Sequence, residues 1–218
     1  MIAEALARPR LRGVLHEATL PLFVAAGIVL VALAGTPRGR IAMGAYGAGL
    51  AACLGVSALY HRGRWTPAVR SLLCRVDHSM IFALIAGTYT PVCLLVLSGP
   101  LAYAVLGVVW GGGILGALRS FLWPDAPAWI EVTPYALLGW VVVIALPQMV
   151  AGIGIGGISL FGIGGLFYTV GAVIYGLERP DPFPRVFGYH EIFHALVVLA
   201  AAAHCVAIFV WILPGTWR

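Results

Sequence analysis

His190 and His194 are four residues apart. On a helix that spacing puts both rings on one face, one turn from each other, within reach of a single metal ion. They open the last long apolar stretch of the chain, so the pair stands at the level of a membrane surface. Polar side chains at such a level are costly and usually functional. Taken alone, the pair fits a metal site and two interfacial histidines bonded to lipid headgroups equally well. Four further histidines, His16, His61, His78 and His204, complete the set, and Asp77 directly precedes His78. Whether any of them meet depends on the elements that carry them.

Of the 218 residues, 61% are hydrophobic and only 10% charged, with a mean hydropathy of +1.00. Soluble domains carry about 25% charged residues. The chain therefore reads as an all-α integral membrane protein with a single transmembrane domain, 1–218. Its apolar runs fall at about 17–35, 41–60, 78–97, 101–118, 132–149, 157–177 and 190–213. Each is near the ~20 residues that cross ~30 Å of hydrocarbon, which predicts a seven-helix bundle. Thr36-Pro37-Arg38-Gly39, Ser98-Gly99-Pro100, Pro124-Asp125-Ala126-Pro127 and Pro180-Asp181-Pro182-Phe183-Pro184 punctuate the runs. The glycine-rich stretch 151–157 reads either as a loop or as a continuing helix. Arginines followed by an apolar run resemble a signal peptide at the start. The run ends in Gly35-Thr36-Pro37-Arg38 without a small-x-small cleavage site, however, and so is expected to be a retained helix. Cys53, Cys74, Cys93 and Cys205 have neither disulfide-framework nor zinc-finger spacing and read as small packing residues.

All the basic side chains apart from histidine are arginines. With seven spans, one side of the membrane receives Arg8, Arg10, Arg12, Arg62, Arg64, Arg70, Arg75, Arg119, Arg179 and Arg185; the other receives Arg38, Arg40 and Arg218. This asymmetry predicts a cytoplasmic N-terminus and a C-terminus outside, in a multi-pass protein of the cell membrane. The net charge of +5 is thus a topology signal, and anionic lipid headgroups are the expected partners of the cytoplasmic face. The basic residues flank membrane spans, which leaves no support for a nucleic-acid partner.

With that topology, His16, His61, Asp77, His78, His190 and His194 share one depth, at the cytoplasmic leaflet. His204 lies about 15 Å further along the seventh helix. Asp77 is expected to open the third helix, where an unpaired carboxylate is expensive and calls for a partner such as Arg75 or the water of a metal ion. Ser57 sits one turn deeper than His61 on the same face; a serine in this setting also bonds readily to its own helix backbone. Three neutral imidazoles and a water satisfy tetrahedral Zn2+ with one position open. Iron prefers a carboxylate in its ligand set and copper(I) prefers sulfur. Cys53, two turns deeper than His61, and Cys74, expected in a loop, are poorly placed to supply sulfur.

Three blocks in order carry a resemblance. Ser57-Ala58-Leu59-Tyr60-His61 comes first. Val76-Asp77-His78-Ser79-Met80-Ile81 follows, running into Ala86-Gly87-Thr88-Tyr89-Thr90-Pro91, and His190-x-x-x-His194 closes the set. Together they resemble the haemolysin III family, the bacterial branch of the progestin and adipoQ receptors, to which the adiponectin receptors belong. The resemblance implies seven helices with a cytoplasmic N-terminus and zinc held by His61, His190 and His194. It further implies that Asp77 manages the attacking water, with Ser57 as the motif serine. At the first helix the chain departs from the pattern: His16-Glu17-Ala18-Thr19 stands where many members have an acidic and asparagine-bearing motif leading to Thr-His. His78, about 100° round the helix from Asp77, is expected beside the site or at the interface rather than on the ion.

The function this implies is zinc-dependent hydrolysis of a lipid amide or ester near the cytoplasmic leaflet, with a role in lipid homeostasis and membrane lipids as substrate. Three alternatives compete. One is a non-enzymatic receptor or membrane-state sensor with structural zinc. Another is an intramembrane metalloprotease, since His190-Glu191-x-x-His194 matches the zincin pattern with Glu191 as base. The third is a cytolysin, for which these helices are too long and apolar to be soluble before insertion.

Overall fold

A computed structural model describes residues 9–217. Arg8 and Arg218, both part of the arginine asymmetry, lie outside the described residues. The helices are α1 (Val14–Leu33), α2 (Pro37–Arg62), α3 (Pro67–Leu95), α4 (Gly99–Leu122), α5 (Ala128–Trp140), α6 (Leu146–Leu177) and α7 (Tyr189–Ala207). A 3-10 segment, Val141–Ala145, joins α5 to α6, and π and 3-10 turns extend α7 to Trp217. No named β-strand occurs among the described residues. Six helical stretches are long and apolar enough to cross a membrane: Val14–Leu33, Pro37–Arg62, Pro67–Leu95, Gly99–Leu122, Trp129–Leu177 and Tyr189–Trp217.

Local chemistry sets the starts. Thr36 accepts from the Gly39 N–H at 3.1 Å with Pro37 at the first helical position. Thr66 accepts from the Val69 N–H at 3.5 Å ahead of Pro67. In both, the threonine occupies an otherwise orphaned donor and the proline lacks the N–H that would be orphaned. The second cap corrects an expectation. Helix α3 begins at Pro67, not near His78, so Asp77 lies well inside the helix and Cys74 is helical rather than in a loop.

The stretch 151–157, which reads as either a loop or a continuing helix, is helical on both sides of a kink, and the non-helical backbone is confined to Gly154, at φ 64 and ψ −179. Left-handed φ of this kind suits glycine, which has no Cβ to clash. The chain doubles back there. Trp140 donates from Nε1 to Thr169 Oγ1 at 3.2 Å, and a Cβ on Gly176 would lie 3.9 Å from Val132.

At the centre, α2 and α3 approach backbone to backbone. A Cβ on Gly49 would stand 2.5 Å from the Ala83 carbonyl oxygen, and one on Gly87 2.7 Å from that of Ala45. Without a hydrophobic drive between helices in lipid, such close approach is what holds a pair together. Gly87→Val is therefore expected to part the helices at a cost of about 1–3 kcal/mol or more. The effect is read as a fall in the thermal unfolding midpoint of the purified protein.

Hydrogen bonds between distant segments order the two ends of the bundle. Arg10 and Leu11 donate from backbone N–H to the carbonyls of Arg185 and Val186, at 3.0 and 3.1 Å. At the other end Gly35 N–H donates to Thr216 Oγ1 at 3.1 Å, and Trp217 Nε1 to the Leu33 carbonyl at 2.7 Å. The first and last described residues thus lie at opposite ends.

Candidate metal centre

Helices α2 and α7 supply three imidazoles to one point. His61 comes from the last turn of α2; His190 and His194 come from the first two turns of α7, on the face their spacing dictates. One ring nitrogen of each lies within 4.8 Å of the others. His61 Nε2 and His190 Nε2 are 3.3 Å apart. An ion with tetrahedral bonds of ~2.0–2.1 Å to nitrogen holds its ligand atoms about 3.3 Å apart, so the spacing of the pair fits a single tetrahedrally bound metal ion. The three rings are 8%, 9% and 2% exposed. Among the described residues, His194 Nδ1 has no hydrogen-bond partner.

Asp77 stands at the side of this cluster, its Oδ2 3.6 Å from His61 Nε2. That is too long for a hydrogen bond. Ser57 is fully buried beside Asp77. Ser57, Asp77, His190 and His194 line one end of a cavity of about 310 Å³. From there the cavity runs between α3, α5, α6 and α7 past Ile85, Tyr135 and Phe161 to Met149 and His204, and its walls are overwhelmingly apolar. It has the shape and lining for an alkyl chain whose polar end reaches the histidines.

The remaining candidates have other partners. His78 bonds Glu131 of α5 and lines the cavity, and its backbone carbonyl accepts from the Tyr135 hydroxyl at 3.1 Å. His204 bonds the Phe161 carbonyl at 3.1 Å. Glu17, in the divergent motif, accepts from Arg62 at 2.7 Å, with both side chains about half exposed. Arg75 reaches the Phe121 carbonyl at 3.4 Å rather than Asp77.

Glu191 is 1% exposed and both of its oxygens are engaged, one by Arg12 Nε and the other by the Gly188 N–H at 2.7 Å. It caps α7 and anchors the N-terminal segment. Both oxygens are thus committed to these two donors rather than free to act as the base of a zincin.

Sequence reasoning placed His16 at this level without a contact and gave Arg12 no part in the site. His16 stacks on His194 with centroids 3.9 Å apart and planes 9° apart. Arg12 is 179 residues from its partner Glu191, and no local pattern signals such a pair. The histidine alone had a signal, its depth.

A family model described as Haemolysin-III related matches residues 5–205. Hemolysin-3 of Bacillus cereus is 30% identical over 205 residues, covering 93% of this chain and 90% of that protein. Monocyte to macrophage differentiation factor of Homo sapiens is 29% identical over 167 residues, 75% of this chain and 67% of that protein. The adiponectin receptor protein of Drosophila melanogaster is 25% identical over 202 residues, 76% of this chain and 41% of its own length.

Proposed function

Because the chain belongs to the haemolysin-III related family and is a multi-pass membrane protein, we propose that it is a zinc-dependent lipid hydrolase of the cell membrane that cleaves an acyl amide or ester. The observation that supports this most is that Asp77, His190 and His194 line one end of an apolar cavity, with His61 clustered against the two histidines. A structural zinc site needs no cavity. A hydrolase acting on acyl chains does.

His61, His190 and His194 would hold the zinc, which would supply Lewis acidity toward an acyl carbonyl and a water that is acidic near neutral pH. The chain's own residues do the rest. The apolar walls seat the acyl chain and keep bulk water from the carbonyl. Asp77 orients the attacking water and accepts its proton, and Ser57 positions the Asp77 carboxylate. As the water oxygen bonds to the acyl carbon, the carbon–nitrogen or carbon–oxygen bond breaks. Asp77 then returns the proton to the departing amine or alcohol.

The reading includes seven spans. Trp129–Leu177 would be about 73 Å long if straight, more than twice the hydrocarbon thickness. The Gly154 break and the Trp140–Thr169 contact support a hairpin of two spans there. With the arginine-rich end cytoplasmic, reporter fusions after Arg70 and Asp181 read cytoplasmic and one after Trp217 reads outside. A cytoplasmic C-terminal reporter overturns the seven-span topology.

The direct test is purified protein assayed for zinc, with lipid extracts analysed before and after incubation. About one zinc per chain together with released fatty acid is the expected result. Stoichiometric zinc with no lipid turned over would favour the receptor reading instead.

A further inference from the structure

We propose that the segment Pro9–His16 is a clasp over the metal centre, holding the three histidines in register and setting how fast the ion leaves. The inference rests on the metal reading above.

The segment touches each histidine or its immediate neighbour. Gly13, at φ 79, lays its backbone against His61: a Cβ there would fall 2.6 Å from His61 Cβ, so both the conformation and the space exclude any other residue. Arg12 bonds Glu191, which lies between His190 and His194 in sequence and caps the helix that carries them. His16, 3% exposed, stacks face to face on His194. Just before these residues, Arg10 and Leu11 bond to Arg185 and Val186 in the connection that feeds α7. One short segment therefore ties the end of α2 to the start of α7, the two elements that must stay together to hold an ion.

The His16 stack has a specific task. A metal-binding imidazole is normally kept in its rotation by a hydrogen bond from its second ring nitrogen to a carboxylate or carbonyl. Among the described residues His194 Nδ1 has no such partner, while the ring of His16 lies flat against that of His194. The restraint on His194 is thus the flat face of His16 rather than a polar bond. His16 is a positioning residue, and its nitrogens are not required for the role.

The test uses the full chain, loaded with zinc and separately with cobalt(II), and follows release into a coloured chelator. His16→Ala and Arg12→Ala are expected to release metal about 10–100-fold faster than wild type, the usual effect of removing support from a metal ligand. His16→Phe keeps a flat ring and is expected to stay within several-fold of wild type. The cobalt absorption bands should shift in His16→Ala and not in His16→Phe. Wild-type release from both alanine variants overturns the clasp. So does a His16→Phe variant as fast as His16→Ala, which would make a His16 nitrogen, not its face, the active feature. Thermal midpoints of the metal-free chains are measured alongside. A midpoint lowered in step with faster release assigns these residues to general folding and also overturns the proposal. If wild type takes up neither zinc nor cobalt, the metal reading itself has failed, a result distinct from tight metal in every variant.

Discussion

Asp77→Asn is expected to retain zinc and lose lipid hydrolysis by about 10²–10⁴-fold, the usual consequence of removing a general base. The side chain stands 3.6 Å from His61 Nε2 without being one of the clustered ligands. The amide keeps the shape of the carboxylate but cannot take a proton. Glu191→Gln is the companion measurement. Its oxygens accept from Arg12 and Gly188; glutamine keeps one acceptor and turns an NH2 toward the other donor, which weakens one of these two contacts but not the management of the water, so turnover per bound zinc should stay within several-fold of wild type. The protease reading requires the opposite order, with Glu191→Gln dead and Asp77→Asn active. Zinc content has to be determined in both variants, because a lost ion abolishes turnover whatever the base.

The second large effect is on the ion itself. His61→Ala, His190→Ala or His194→Ala should each strip most of the zinc from a chain that otherwise carries about one. Each change removes one of three buried nitrogens gathered within 4.8 Å. His61→Ala is the most telling, since it leaves the α7 pair intact and removes the only ligand from α2. Stoichiometric zinc in that variant would sink the three-histidine site. Because metal binding to a formed site adds to folding stability, the same variants should lose the rise in thermal midpoint that zinc gives the wild type.

Much of this site was legible in the residues because membrane proteins constrain depth. Span length and arginine asymmetry sort side chains by level, and that put His61, Asp77, His190 and His194 at one leaflet before any contact was known. Which of the level residues meet is a matter of rotation and tilt, which depth does not report. His78 shares the level yet turns to Glu131, and Glu191 shares the zincin spacing yet turns to Arg12. The start of α3 was misplaced because residues 67–77 carry Arg70 and Arg75 and look like a loop to hydropathy; the Thr66–Pro67 cap was the better signal. The break at 154 was hard to read because a single left-handed glycine reverses the chain without a polar turn, and hydropathy registers only polarity.

The apolar cavity has a consequence for anyone who handles the protein. A void of about 310 Å³ lined by side chains that water wets poorly will take up whatever alkyl tail surrounds it. Any occupant that binds the folded chain and not the unfolded one raises stability by mass action, about 2.7 kcal/mol at a hundredfold excess over its dissociation constant. A detergent whose tail enters the cavity then acts as a ligand as well as a solvent. Unfolding midpoints should rank detergents by how well their tails fit the cavity, and comparisons between variants hold only within one detergent at one concentration.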